Sequence, residues 1–140
     1  DSLATSRCIF CRGRWENDGY FFQISQLDGM GSIRLYTSQS GVGQQGGSED
    51  KILTAGNWYI IGASRKGSQV RTYKDGVETG SMGGSLIDPA TCARTAKIGV
   101  RDTLTTWPYD GNIFFIIIYS RALTPQENSY HHIVGKELFG

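Results

Sequence analysis

The feature that most constrains this chain is an unbroken run of six apolar residues, IFFIII, at positions 113–118 (the apolar run). The run is far too short to cross a bilayer, and its β-branched and aromatic side chains favour strand over helix. A strand in which every residue is apolar is typically buried on both faces. The sequence therefore predicts a central strand that the rest of the chain covers from two sides.

Clear turn and helix signals flank the apolar run. Asp110 and Gly111 form a turn signal before it. After it, Thr124 is a suitable N-cap, Pro125 a suitable first helical residue, and Glu127 the acidic partner of a capping box. We therefore expect a short helix that begins near Pro125.

This segment resembles the closing segment of laminin-G-like, concanavalin A-like domains. Gly111 and Ile113 match its glycine-led strand, and residues 119–124 with Glu127 match the arginine-alanine-leucine turn and capped helix. The resemblance implies an all-β fold, namely a two-sheet antiparallel jelly-roll β-sandwich with one short C-terminal helix. Members of this family mostly bind glycans, and others act in adhesion or as hydrolases, so the fold alone does not choose the function.

The resemblance extends to the middle of the chain. Trp58, Tyr73 and the Asp75-Gly76 turn match the family's central hairpin, and residues 95–100 match its short isoleucine-glycine strand. The family's first strands have no counterpart here. We therefore expect residues 1–140 to form one domain that lacks those strands, with part of the apolar run left as an exposed edge, which soluble proteins usually avoid.

Turn signals divide the remaining chain into short strands, as expected for 19 glycines against three prolines. The segment 38–50 is rich in glycine, glutamine and serine and predicts an exposed loop. The predicted strands are residues 8–12, 20–24, 32–37, 52–53, 59–65, 70–74 and 95–100, with a second loop at 80–91.

The overall charge argues against a nucleic-acid partner. Fourteen basic and thirteen acidic residues give a net charge of +1, whereas nucleic-acid binders usually concentrate positive charge on one face. No secretory signal or membrane-spanning segment is visible, and the sequence begins at Asp1 rather than methionine. We expect a processed product or a piece of a longer protein, secreted or at the cell or virion surface, with no membrane insertion.

The three cysteines leave several states open. Cys8 and Cys11 are three residues apart, which on a regular strand places them on opposite faces and argues against a bond between them. One alternative is that the thiols are free and packed as small apolar groups. The other is a disulfide from Cys92 to Cys8 or to Cys11.

The sequence gives little support for catalysis. Glycosidases of this fold pair carboxylates on one strand, often as E-x-D-x-x-E, and Glu16 with Asp18 supplies only the first half, in a turn. His131 and His132 are adjacent near the end of the predicted helix, where we expect them to cap it electrostatically. The sequence therefore predicts that the protein is not an enzyme.

Sugar binding needs a flat aromatic ring for the apolar face of a pyranose and planar polar groups for its hydroxyls. Two segments supply both. The alternative for each is an aromatic that only covers a sheet end, and Trp58, which opens a strand, is assigned to the core. The candidate ligand-binding residues are Trp107, Tyr109, Asp110 and Asn112 in one segment, and Trp15, Asn17 and Asp18 in the other.

The resemblance also implies calcium, because acidic turns near both chain ends often supply its oxygen ligands in this family. The first candidates for Ca²⁺ are Asp110, Asp102 and Asp18. The leading functional hypothesis is a non-catalytic, lectin-like carbohydrate-binding module with a glycan as partner. The rival is a structural subunit of an extracellular or viral assembly, completed by strands from a neighbouring chain.

Overall fold

The computed structural model describes residues 6–27, 30–48, 51–79, 82–83 and 86–139. They form a mostly β structure with two antiparallel sheets and one C-terminal helix, as the sequence predicts. One sheet has the order β8-β4-β3-β2-β1-β9, and the other has the order β5-β6-β7. The elements are β1 Arg7–Arg14, β2 Asp18–Leu27, β3 Met30–Gln39, β4 Val42–Gly47, β5 Ile61–Lys66, β6 Gln69–Lys74, β7 Val77–Thr79, β8 Met82–Gly83, β9 Lys97–Ile98 and α1 Pro125–Phe139.

Two of the predicted turns form where the sequence places them. Strands β1 and β2 pair as a hairpin, and Asp75 and Gly76 form the tight turn between β6 and β7. Both turn residues have positive φ, 50° and 77°, as a mirror-image hairpin turn requires. A Cβ on Gly76 would lie 2.8 Å from the Cβ of His132, so this turn also packs closely against α1.

The prediction that the glycine-rich segment 38–50 forms an exposed loop is wrong in part, because residues 42–47 form strand β4. This strand pairs with β3 and also approaches β6 of the other sheet. A Cβ on Gly46 would lie only 2.2 Å from Cγ1 of Val70, so the absence of a side chain lets the two strands come together. The glycines that suggested a loop therefore serve close packing.

The two faces of the six-stranded sheet carry separate apolar clusters. The inner cluster consists of Ile9, Ile24, Ile33 and Leu53, and Ile61 of the second sheet packs against it. The outer cluster consists of Cys8, Cys11 and Phe21, with Trp15 and Tyr36 packed against them. The inner cluster joins the two sheets, whereas the outer cluster lies on the opposite face.

The apolar run does not form the doubly buried strand that the sequence predicts. Among the described residues, neither sheet includes positions 113–118. Ile113 and Ile116 pack against the inner cluster, but Ile117 and Ile118 are 55% and 57% exposed. The run is therefore covered on one side only, and Ile117 and Ile118 remain exposed on the other.

Helix α1 begins at Pro125 with the predicted capping box. The backbone N–H of Glu127 donates to Oγ1 of Thr124 at 3.2 Å, and the backbone N–H of Thr124 donates to Oε2 of Glu127 at 2.8 Å. The helix continues to Phe139, so His131 and His132 lie in its middle. The prediction that they cap its C-terminal end is therefore wrong.

The cap should make helix α1 sensitive to acid. The Arg121 guanidinium and the Thr124 N–H lower the pKa of Glu127 from 4.5 to about 2. A carboxylate with a depressed pKa stabilises the folded state above its unfolded pKa, and this contribution is lost as the pH falls from about 4.5 towards 2. Circular dichroism between pH 6 and 2 should therefore show a smaller acid-induced loss of helical signal in Glu127→Gln than in the wild type. Glu137→Gln, the control, should lose about as much helical signal as the wild type. Identical acid profiles for all three proteins would contradict this role of the cap.

Candidate functional site

Three of the predicted ligand-binding residues meet at one end of the cleft between the sheets. Tyr109, Asp110 and Asn112 line a pocket of about 170 Å³, here called the end pocket. Trp107, from the same sequence segment, is not among its lining residues and lies towards the outer cluster. The end pocket is lined by Arg7, Ile24, residues 53–59 and residues 109–112.

The aromatic ring of the end pocket is Trp58, which sequence reasoning placed in the core. That prediction is wrong, because Trp58 is 61% exposed. Strand β5 begins only at Ile61, so Trp58 precedes the sheet and the inward-outward alternation of a strand does not apply to it. Its ring packs on Phe114 with the ring centroids 4.6 Å apart.

Hydrogen bonds hold the loop that carries Trp58. The Asn57 amide donates to Oγ1 of Thr54 at 2.9 Å, and the Tyr59 hydroxyl is also 2.9 Å from that oxygen. The ammonium of Lys74 lies 4.7 Å from the centre of the Tyr59 ring, a cation–π distance. The residues on both sides of Trp58 are therefore fixed while its side chain projects from the loop.

Polar groups converge on the end pocket from the segment before the apolar run. The side chain of Asp110 is 62% exposed and lies 3.9 Å from the Arg7 guanidinium, so its carboxylate oxygens are accessible. Tyr109 is fixed by a backbone hydrogen bond from its N–H to the carbonyl of Gly99 at 2.7 Å, and burial raises the pKa of its hydroxyl. The end pocket thus combines an exposed indole ring with a carboxylate and the amide side chains of Asn57 and Asn112.

Trp107 belongs to a different surface, on the outer face of the six-stranded sheet. The guanidinium carbon of Arg101 lies 4.4 Å from the Trp107 ring centre and 5.1 Å from that of Phe21, so Arg101 contacts both rings. The Trp107 carbonyl accepts a 3.0 Å hydrogen bond from the N–H of Cys8. These contacts favour the alternative that Trp107, 38% exposed, covers part of the sheet.

The second predicted segment lies in the turn between β1 and β2. The Trp15 and Tyr36 rings meet edge to face, with their centroids 5.4 Å apart. The Trp15 ring also lies over Gly43, where a Cβ would come within 2.6 Å of it. Asp18 accepts hydrogen bonds from the backbone of Arg14 and from Arg94 at 2.9 and 3.2 Å. Trp15 therefore packs as a structural residue, and Asp18 stabilises the turn that also holds Asn17.

The three carboxylates predicted for calcium do not form one ligand set. Asp18 faces Arg94 at 3.2 Å, while Asp102 and Asp110 each lie 3.9 Å from an arginine. The described part of the chain has no group of three or more histidine, cysteine or acidic residues suited to a metal ion. These residues do not fit a calcium site, because its ligands must converge on one point.

All three cysteines are free thiols in the structure. Cys8 and Cys11 lie in the outer cluster, whereas Cys92 lies outside it, where its sulfur accepts a hydrogen bond from the N–H of Arg94 at 3.3 Å. The predicted bond from Cys92 to Cys8 or Cys11 is therefore not formed. The prediction that Cys8 and Cys11 point to opposite faces is also wrong, because both belong to one cluster.

Comparison with known proteins gives one match. A family model described as the concanavalin A-like lectin/glucanases superfamily matches residues 1–127. No curated protein and no solved structure matches the chain. Within the described residues, no helix is long and apolar enough to cross a membrane.

Proposed function

The chain belongs to the concanavalin A-like lectin/glucanases superfamily, and from this we propose that it is a non-catalytic, lectin-like carbohydrate-binding module of a secreted or surface protein. The observation that carries the proposal is the exposed Trp58 ring beside the polar groups of the end pocket. Membership alone does not choose between lectin and hydrolase. The composition of the end pocket supports binding without hydrolysis.

The end pocket offers what a pyranose requires. Trp58 supplies a flat apolar surface for the hydrogen-bearing face of the sugar ring, and its other ring contact, with Phe114, keeps it from turning freely. The Asp110 carboxylate and the Asn57 amide oxygen accept hydrogen bonds from sugar hydroxyls, and the Asn112 amide both donates and accepts them. With a volume of about 170 Å³, the pocket suits one sugar unit better than a long buried chain.

The same residues explain why we propose binding without hydrolysis. Cleavage of a glycosidic bond uses two carboxyl groups about 5 to 9.5 Å apart, one as acid and one as base or nucleophile. Asp110 is the only acidic residue among the described residues that line the end pocket. A sugar bound there would meet one carboxylate, which is sufficient for recognition but not for this chemistry.

Replacing Trp58 by alanine should lower glycan affinity by about 1 to 3 kcal/mol, the scale of removing an aromatic anchor from a binding site. The reason is that the indole provides the main apolar contact of the end pocket. A panel of immobilised oligosaccharides would identify the best ligand, and calorimetric titration of that oligosaccharide would measure the change.

The matched control is Trp107→Ala, which removes the same side chain from the outer face. Titration curves that are unchanged in Trp58→Ala would exclude the end pocket as the glycan site. A loss confined to Trp107→Ala would place the site on the outer face instead. Thermal melting of each variant separates a loss of affinity from a loss of fold.

The apolar run supports a second candidate, a structural subunit completed by a strand from a neighbouring copy of the chain. It borders a cleft of about 1040 Å³ between the sheets, lined by side chains that include Phe22, Leu35 and Ile60. An added strand would cover the exposed isoleucines and extend the β structure by backbone pairing. Repeated head to tail, such pairing builds a fibre or shell.

A further inference from the structure

An irregularity in β1 places two cysteines side by side. Cys8 lies opposite Gln23 and Cys11 lies opposite Phe21, so three steps along β1 match two steps along β2. The register shift between Cys8 and Phe10 makes Ile9 the extra residue of a β-bulge. Because strand side chains alternate with a period of two, the bulge brings both thiols to the outer face.

The spacing that results is within reach of a covalent bond. Two strand positions correspond to a Cα separation of about 6.6 Å, near the upper end of the separations that disulfides span. The two thiols also share a side-chain hydrogen bond, which lowers the pKa of Cys11 and, together with burial, raises that of Cys8. Both cysteines belong to the same cluster of buried side chains, so they already pack together in the reduced protein.

The surroundings favour a small oxidant. Cys8 and Cys11 are 0% and 1% exposed and share a cluster with Phe21, whose ring lies under the Arg101 guanidinium. A bulky disulfide reagent would need extensive local opening to reach them, whereas a peroxide is close to water in size. The lower pKa makes Cys11 the attacking sulfur, because the thiolate is the nucleophilic form.

We propose that Cys8 and Cys11 are an oxidation site and form an intrachain disulfide with hydrogen peroxide as the oxidant. The Cys11 thiolate attacks one peroxide oxygen, the O–O bond breaks, and the departing hydroxide takes up one proton to become water, which leaves a sulfenic acid on Cys11. The Cys8 sulfur then attacks the Cys11 sulfur, its proton joins the leaving hydroxyl, and a second water departs. Two thiols and one peroxide yield one disulfide and two waters.

The experiment uses Cys92→Ser, which removes the third thiol and leaves the pair intact. After peroxide treatment of the folded protein, its intact mass should fall by two hydrogen atoms, and no thiol should react with iodoacetamide in denaturant. Trypsin cleaves after Arg7 and Arg12, so the peptide of residues 8–12 contains both cysteines. That peptide should itself be two hydrogens lighter, and reduction should restore its mass.

Two variants report whether the pair acts together. In Cys8→Ser/Cys92→Ser and Cys11→Ser/Cys92→Ser, no two-hydrogen loss is possible, and circular dichroism before treatment establishes that each is folded. Two alkylatable thiols in oxidised Cys92→Ser, or only oxygen-added forms of its 8–12 peptide, would overturn the proposal. In the wild type, a bond from the 8–12 peptide to the peptide of residues 75–94, which contains Cys92, would also overturn it.

Discussion

Replacing Phe21 by alanine is expected to lower the free energy of unfolding by about 3 to 5 kcal/mol, the usual cost of truncating a buried aromatic side chain. Phe21 is 1% exposed at the centre of the outer cluster. It contacts the cysteines of β1 and lies beneath the Arg101 guanidinium, so its removal leaves a cavity and takes away a cation–π partner. Urea unfolding followed by far-ultraviolet circular dichroism measures the change.

Trp58→Ala is the matched control, since it removes a larger aromatic from an exposed position. Its cost should not exceed about 1 kcal/mol, because substitutions at exposed sites rarely cost more. Equal losses in the two variants would mean that the outer cluster contributes no more to stability than the surface does. A larger loss in Trp58→Ala would restore the interpretation that Trp58 belongs to the core.

The sequence predicts those parts of the fold that depend on residues close together in the chain. Asp75 and Gly76 determine a turn by their own backbone preferences, and Thr124 and Glu127 determine a helix start through bonds three residues apart. The family resemblance adds the arrangement of these pieces into a sandwich, because it carries the order of the elements. Neither source requires knowledge of distant contacts.

The features that the sequence does not predict depend on such contacts. From the sequence, Gly46 indicates a loop. In the structure Val70 of the other sheet occupies the space that a side chain at position 46 would fill, and the sequence alone does not show this contact. The bulge at Ile9 has no signal in the residues themselves, and only the register with β2 reveals it. Each error comes from applying a local rule where tertiary packing decides.

The candidate site follows the same division. Asp110 and Asn112 were predicted from composition, since a carboxylate and an amide beside a turn are suited to sugar hydroxyls. The missed residues are Trp58 and Asn57, although Gly56 just before them is a turn signal that could have placed them in an exposed loop. That they lie opposite Asp110 depends on how the sheets meet.

The second candidate function predicts that changing Ile117 and Ile118 together to lysine converts an associating protein into a monomer. Complete burial of one isoleucine side chain contributes about 1.5 to 3 kcal/mol of stabilisation. Burying both side chains against a partner strand therefore contributes at most about 3 to 6 kcal/mol to the free energy of association. At 1.4 kcal/mol for each factor of ten, the double variant should bind its neighbour roughly a hundredfold to ten-thousandfold more weakly. Lysine also opposes strand addition through its charge. Light scattering over a range of concentrations measures the mass of the particles.

Leu138→Lys is the control, because Leu138 is 68% exposed on helix α1 and outside the cleft. It should leave association unchanged, since the exposed face that we expect to receive a strand is the apolar run. A wild-type protein that stays a folded monomer at high concentration would exclude completion by a neighbouring copy. Association that survives in the double lysine variant but is lost in Leu138→Lys would instead assign the contact to the helix.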